Sequence, residues 1–282
     1  MKKLLILTFL ILTVKISAQD RVITTAVPFL TIAADARSAG MGDVGVATST
    51  DVFSQQWNPA KYAFAESKMG IGLSYTPYLE SIVTDISLLN ANFYSKINQR
   101  SAYAASIRYF GLGEIELRQT PDDPGTIVKP NEVAIYESDS LKLSDQFSMA
   151  VAGRFINSNL KLPGDASTDT KSSMAFAVDI TGYYLSKEIA YNSFNGRWKA
   201  GFNVSNLGGK MQYDEGGPEN FLLTNLGIGA GFDFILDPDN IITLTSEFNK
   251  LLVPTPQDYD GDGDIDDVDN GIYQDIGFLS GV

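Results

Sequence analysis

From about residue 69 onward, apolar side chains return at every second position, a period that fits strands and not helices. Along 174–184, Met174, Phe176, Val178, Ile180 and Tyr184 share one face. Ala175, Ala177, Asp179, Thr181 and Tyr183 share the other. Similar alternation runs through 147–155, 198–205 and 226–236, and further strands are expected at 69–77, 83–97, 101–111, 131–143, 240–249 and from 272 to the end. Each strand has one apolar face and one small or polar face. Two architectures fit: a soluble sandwich or barrel with the apolar face as core, or a membrane barrel with that face toward lipid. Several segments reach the ~9–11 residues that a tilted spanning strand needs. Aromatic residues near strand ends (Tyr75, Tyr94, Tyr109, Tyr183, Tyr184, Trp198, Tyr213) suit interfacial girdles. Both features favour the membrane reading. Short turns at Asn98-Gln99 and 237–240 are expected on the periplasmic side; the longer stretches 119–131, 158–172, 186–196, 208–220 and 254–271 are expected outside.

The amino terminus points the same way. Lys2 and Lys3 precede an apolar run from Leu4 to Val14, followed by Ser17-Ala18-Gln19 and Asp20. This is the pattern of a signal peptide, residues 1–19, cut after Ala18 or Gln19. An uncleaved anchor is the rival reading, but the run is shorter than the roughly 20 apolar residues a spanning helix needs. Removal of three Lys leaves 18 basic residues against 34 acidic ones, a net charge of −16 in place of −13. So large an acid excess argues against a nucleic-acid partner, which requires clustered Lys and Arg. The chain has no His and no Cys, which excludes a Ser-His-Asp triad, thiolate catalysis, disulfides and His or Cys metal ligands. Carboxylates, hydroxyls, amides and hard cations remain.

Residues 20–66 are different in character, rich in Ala, Gly and Ser, and read as an irregular segment with one or two helical turns, inside or beneath a barrel formed by 67–282. Asp35-Ala36-Arg37 offers an ion pair that would hold this segment inside, with an ordinary loop as the alternative. The stretch FLTIAADARSAGMGDVGVATSTDVFSQQWNPA resembles the amino-terminal signature of the PorV/PorQ proteins of Bacteroidetes, outer-membrane barrels related to the FadL transporters. Matching positions include Phe29, Asp35, Arg37, Gly40, Gly42, Gly45, Trp57, Asn58 and Pro59. NVSNLGGKMQY (203–213) is similar to a family strand motif, and EFNKLLVPTP (247–256) resembles the PorV subgroup in particular.

The resemblance implies an all-β fold: in a complete member, an antiparallel transmembrane barrel of about 14 strands with a partly helical amino-terminal segment. It implies a non-enzymatic component of the type IX secretion system in the outer membrane, surrounded by outer-membrane lipid. Its partners would be the C-terminal signal domains of cargo, the SprA-type translocon and the PorU-type sortase. About ten or eleven strands can be counted here, and family members normally run on further, so the expectation is a C-terminally truncated barrel whose missing strands carry part of any site.

The sharpest chemical motif is DYDGDGDIDDVD, 258–269, which holds seven of the 34 acids. Asp258, Asp260, Asp262, Asp264, Asp266 and Asp269 fall at positions 1, 3, 5, 7, 9 and 12 of an EF-hand loop, with Gly263 at position 6 and Ile265 at 8. These six are the expected ligands of a structural Ca2+ ion. Aspartate at position 12 reaches less far than the usual glutamate, and no flanking helix is expected, so a helix-free calcium loop is the closer comparison. The alternative is a solvated acidic loop; the regular spacing and paired glycines favour calcium. Asp179, Asp233 and Arg154 fall on the small/polar face and are expected to pair or be hydrated inside. No Gly-x-Ser-x-Gly elbow, phosphate loop or dinucleotide fingerprint occurs. A FadL-like transporter of hydrophobic small molecules is the alternative function, and a lipopolysaccharide-modifying enzyme a third, disfavoured by the lack of His. The inward faces are Gly, Ala, Ser, Asn and Asp, which suits a filled barrel better than a greasy conduit.

Overall fold

The computed structural model describes residues 23–118, 120, 122–160, 172–214 and 217–277. The expected signal peptide lies outside these residues. The long strands follow the period of two. They are β1 (Met69–Pro77), β2 (Ile86–Lys96), β3 (Ser101–Leu112), β6 (Asn131–Lys142), β7 (Phe147–Asn159), β8 (Ser173–Leu185), β10 (Asn195–Gly208), β13 (Asn225–Ile235) and β14 (Ile241–Leu251). They form one antiparallel sheet in the order β1-β2-β3-β6-β7-β8-β10-β13-β14, with the short β9 (Ile189–Ala190) paired to β10. Two small hairpins, β4 (Ile115–Leu117) with β5 (Thr126–Val128) and β11 (Lys210–Gln212) with β12 (Glu219–Phe221), lie off this path. The fold is all-β, and β1 and β14 do not pair with each other among the described residues.

The apolar face of the sheet points outward. Ile71, Leu73, Ile107, Val151, Met174, Phe176, Ile228, Leu244 and Phe248 are all exposed, while Ala102, Ala104, Ala134, Ala150, Ala152, Ala175 and Ala177 are buried. Of the two architectures left open by periodicity, this is the one a lipid-facing barrel requires, since in water so large an apolar surface would be covered. The inner face is closed off by residues 26–66. Their large side chains Phe29, Leu30 and Tyr62 are buried against the strands, each worth about 1.5–3 kcal/mol relative to exposure. Phe29 stacks on Phe110 with ring centroids 6.1 Å apart, and Tyr62 stacks on Tyr94 at 4.8 Å.

The connections 97–100, 143–146, 186–194 and 236–240 lie at one end of the sheet, the short-turn end. At the other, the long-loop end, the chain leaves and re-enters the sheet between β3 and β6, β7 and β8, and β10 and β13, and leaves β14 after Leu251; the β1–β2 connection, 78–85, lies at this end too. This corrects the expectation for 186–196, which belongs to the short-turn end because β8 and β10 are antiparallel neighbours that reverse there. The aromatic girdle also needs correction. Tyr75, Tyr109, Tyr184 and Trp198 face outward, but Tyr94 and Tyr183 are buried inward against Tyr62 and Phe64, and Tyr213 packs against the inner core. Finally, the strand expected from residue 272 does not start there: a helix, Asp267–Asp275, occupies its first residues because Asp266 and Asp269 form a capping box, and 278–282 lie outside the described residues.

Candidate functional site

Three groups of residues carry the chemistry: contacts that fix the interior segment, a polar cavity beside it, and the acidic loop. The interior segment is held along its length by side chains from the small/polar strand faces. Arg108, on β3, donates to three carbonyls of one turn, Leu30 (3.0 Å), Phe29 (3.2 Å) and Ile32 (2.6 Å). Glu247, on β14, accepts from the amides of Gly45 (2.9 Å) and Val46 (2.8 Å) through one carboxylate oxygen. Lys61 is wholly buried and donates to the Gly45 carbonyl (2.7 Å) and the Thr48 hydroxyl (3.1 Å). Asn58 bridges segment and wall, donating to the carbonyls of Val46 (2.9 Å) and Gly182 (3.0 Å) while its own oxygen caps Ala60. Opposite the 45–48 turn, β13 presents Gly227, Gly229 and Gly231; a Cβ on Gly229 would lie 2.9 Å from that of Ala47.

The expected Asp35–Arg37 pair resolves differently. Asp35 caps the Ala36–Gly40 helix through Ser38 and accepts from the Trp57 indole (3.2 Å). Arg37 pairs with Asp51 instead. The three charges expected to pair or be hydrated inside are paired: Arg154 with Asp179 at 2.5 Å, and Asp233 with Lys199 at 2.6 Å. Lys199 also donates to Ser49 of the segment (2.6 Å). The Asn-Leu-Gly motif gains a physical meaning here. Asn206 sits at a bulge in β10 with φ 60°, taking Asp179 on its amide (2.7 Å) and donating to the Leu223 carbonyl (2.8 Å). Arg108, Glu247 and Lys61 were not singled out in the sequence. For Arg108 and Glu247 the available signal was their place on the small/polar face of an alternating strand.

A cavity of about 240 Å3 lies between the segment and strands β10, β13 and β14, lined by polar side chains such as Gln56, Asn203, Asn206 and Glu247 together with Leu30, Val46 and Trp57.

The acidic loop follows β14 at the long-loop end. Asp258 folds the loop over itself, accepting from Gly261 (2.5 Å) and Gly263 (2.9 Å), whose φ values of 80° and 98° suit glycine. Asp260 accepts from the Asp262 amide (3.2 Å) and Asp262 from the Asp264 amide (2.9 Å). Carboxylate oxygens of Asp258, Asp260 and Asp262 thereby come within 4.8 Å of one another. The other three expected ligands do not join them. Asp264 is exposed outside the trio. Asp266 caps the helix through Val268 (2.8 Å). Asp269 is buried and accepts from the amides of Tyr259 (2.6 Å), Asp260 (3.2 Å) and Asp266 (3.0 Å). The Asp262 amide bonded to Asp260 lowers that carboxyl's pKa, but desolvation and the charges of Asp262, Asp269 and Asp258 together raise it. The donor set at positions 1, 3 and 5 fits a hard cation; position 12 is turned toward backbone amides. The helix itself is anchored. Tyr273 packs edge-on against Phe221 at 5.4 Å and donates to the Pro254 carbonyl (3.1 Å), and Lys210 lies 4.5 Å over the Phe221 ring. No described helix is long and apolar enough to cross a membrane, which leaves strand crossing open.

A family model described as type IX secretion system protein PorV matches residues 15–258. No curated protein matches the chain.

Proposed function

Because the chain belongs to the PorV family of type IX secretion system proteins, we propose that it is an exported, non-enzymatic outer-membrane component of that system, its leader removed on export. In this reading its outward apolar face meets lipid. Its long-loop end faces the cell exterior and binds the C-terminal signal domain of secreted proteins, receiving them from a SprA-type translocon and delivering them to a PorU-type sortase. One observation carries the reading: the interior is occupied by a segment bonded to the wall along its length, while the hairpins, the acidic loop and its helix all gather at one end. A protein so built works through an end surface. The FadL-like alternative has less support, since the segment bonded across the inner face occupies the space a conduit would need. The test is affinity purification of the full-length protein in detergent. Recovery of secreted proteins with intact C-terminal signal domains supports the carrier role. Recovery of bound fatty acid without such proteins overturns it.

The same reading places a structural calcium ion in the 258–269 loop, held by Asp258, Asp260 and Asp262, where it would neutralise carboxylates held close together. Its chemistry would be cross-linking of the loop. Calorimetry on the folded protein with millimolar calcium tests this, and absence of heat overturns it.

A further inference from the structure

The interior segment starts at the long-loop end of the sheet and finishes at the short-turn end, doubling back on the way so that Gln56 donates to the Ile32 carbonyl (3.1 Å) and Trp57 to Asp35 (3.2 Å). At the long-loop end, the Ala26 amide donates to Phe221 (2.8 Å) in the β11–β12 hairpin, and Ala26 forms a parallel bridge with Leu222. Phe29 then stacks on Phe110, near the long-loop end of β3, and Arg108 grips the turn that follows. Midway, Ala47 meets Gly229 and Gly231 at the centre of β13. At the short-turn end, Ser148 donates to the Ala60 carbonyl (2.7 Å), Lys142 lies 4.4 Å over the Phe64 ring, and Lys96 donates to the Ala65 carbonyl (2.7 Å). The chain leaves this end to begin β1, with Met69 in register with Ser95.

We infer that the amino terminus of the processed chain is presented at the long-loop end and forms part of the surface that meets secreted partners there. With cleavage after Ala18 or Gln19, only three or four residues precede Ile23. They reach at most about 14 Å, short of the ~25 Å height of a membrane barrel's apolar band. The start of the chain therefore cannot return to the short-turn end. The start of the described chain lies at the end of the sheet opposite the one at which β1 starts. And residues 23–26, tied to the hairpin that also anchors the acidic loop's helix through Phe221 and Tyr273, belong to one structural unit with that loop.

The inference rests on the outward assignment of the long-loop end, and the test separates the two. The chain has no Cys, so single-Cys variants label cleanly. Thr24→Cys, Asp122→Cys in the β4–β5 connection and Asp239→Cys in the short turn between β13 and β14 are all at exposed positions. Each is treated with a membrane-impermeant maleimide on intact cells and again after permeabilisation. Thr24→Cys is expected to label on intact cells as fully as Asp122→Cys, with Asp239→Cys labelling only after permeabilisation. Thr24→Cys behaving like Asp239→Cys, or reacting only after unfolding, overturns the inference. If Asp239→Cys and not Asp122→Cys labels on intact cells, the sidedness of the proposed function fails, while the grouping of Thr24→Cys still decides the inference.

Discussion

Glu247 shows how much can depend on one carboxylate facing inward from a strand. It receives two consecutive amides from a turn about 200 positions earlier in the chain, one at 2.9 Å and one at 2.8 Å. Hydrogen bonds to a charged acceptor contribute about 1.5–3 kcal/mol, and loss of the acceptor leaves buried donors unpaired. Glu247→Ala is therefore expected to lower stability by roughly 2–3 kcal/mol in urea titrations of the folded protein in detergent, with Glu247→Gln recovering part of the loss. A Glu247→Ala protein as stable as the parent would show that the turn is held by other contacts. Gly201 tests the same docking from the opposite side. A Cβ there would lie 2.6 Å from the Val46 carbonyl oxygen and 3.2 Å from that of Gly182, both backbone atoms. Gly201→Ala is expected to cost about 1–3 kcal/mol as overpacking. Gly153→Ala, with nothing within 4 Å, should stay within about 0.5 kcal/mol of the parent. Equal effects at the two positions would mean that glycine's backbone freedom, and not close approach, sets the cost.

At the scale of elements, the acidic loop and its helix form a unit whose two halves were unequally visible in the sequence. The spacing 258, 260, 262 with Gly263 was legible because each position maps to one geometric role. The helix was not, because Asp267–Asp275 contains Gly271, Asn270 and three Asp, all poor helix formers, and is held by its capping box and by Tyr273 on Phe221. Millimolar calcium is expected to slow proteolysis of 254–275, and Asp260→Asn with Asp262→Asn to abolish that protection; affinities about 10⁻⁴–10⁻³ M are usual for extracellular calcium modules. Equal cleavage with calcium and with chelator would remove calcium from the account. The raised Asp260 carboxyl sets the pH trend. It binds a proton before an ordinary aspartate does as pH falls, and protons compete with the cation, so calcium affinity should decline with acidification. The strands were more legible than this loop. An expected strand at 69–77 is β1 itself, and 101–111 differs from β3 by one residue, because alternation reports directly which residues share a face of the pleat. Residues 20–66 were legible only as irregular. Their conformation is set by side chains distant in sequence, such as Arg108 and Glu247, which local pattern does not report.

For the whole molecule, the distinguishing property is an inverted distribution of polarity, with small and polar groups on the inner strand faces and a mainly apolar outer face, interrupted on β6 by Glu137 and Asp139. Periodicity alone could not supply this, since the same alternation serves a soluble sandwich when the apolar face turns inward. The chain carries two Trp, one on each side of the wall, and they make the orientation measurable. Trp198 stands on the outward face of β10, 51% exposed and packed edge-on against Phe232. Trp57 belongs to the interior segment; its ring lies over Gly45, where a Cβ would fall 2.2 Å from it, and its indole donates to Asp35. Bromine on an acyl chain quenches indole emission only at close range, so lipid access separates the two. In vesicles of brominated phospholipid, the Trp57→Phe protein, which keeps Trp198, is expected to lose most of its emission relative to vesicles of unbrominated lipid. The Trp198→Phe protein, which keeps Trp57, should lose little. Aqueous iodide gives the complementary control, since Trp198 buried in lipid should resist it. If iodide quenches Trp198 and brominated lipid does not, the apolar face is meeting water or another protein, and the wall does not span a bilayer. If brominated lipid quenches both, the segment has left the interior and the wall is not closed around it in lipid. Only the pattern with Trp198 quenched and Trp57 spared agrees with strands whose outward face is solvated by lipid while the inward face is solvated by the chain's own amino-terminal segment.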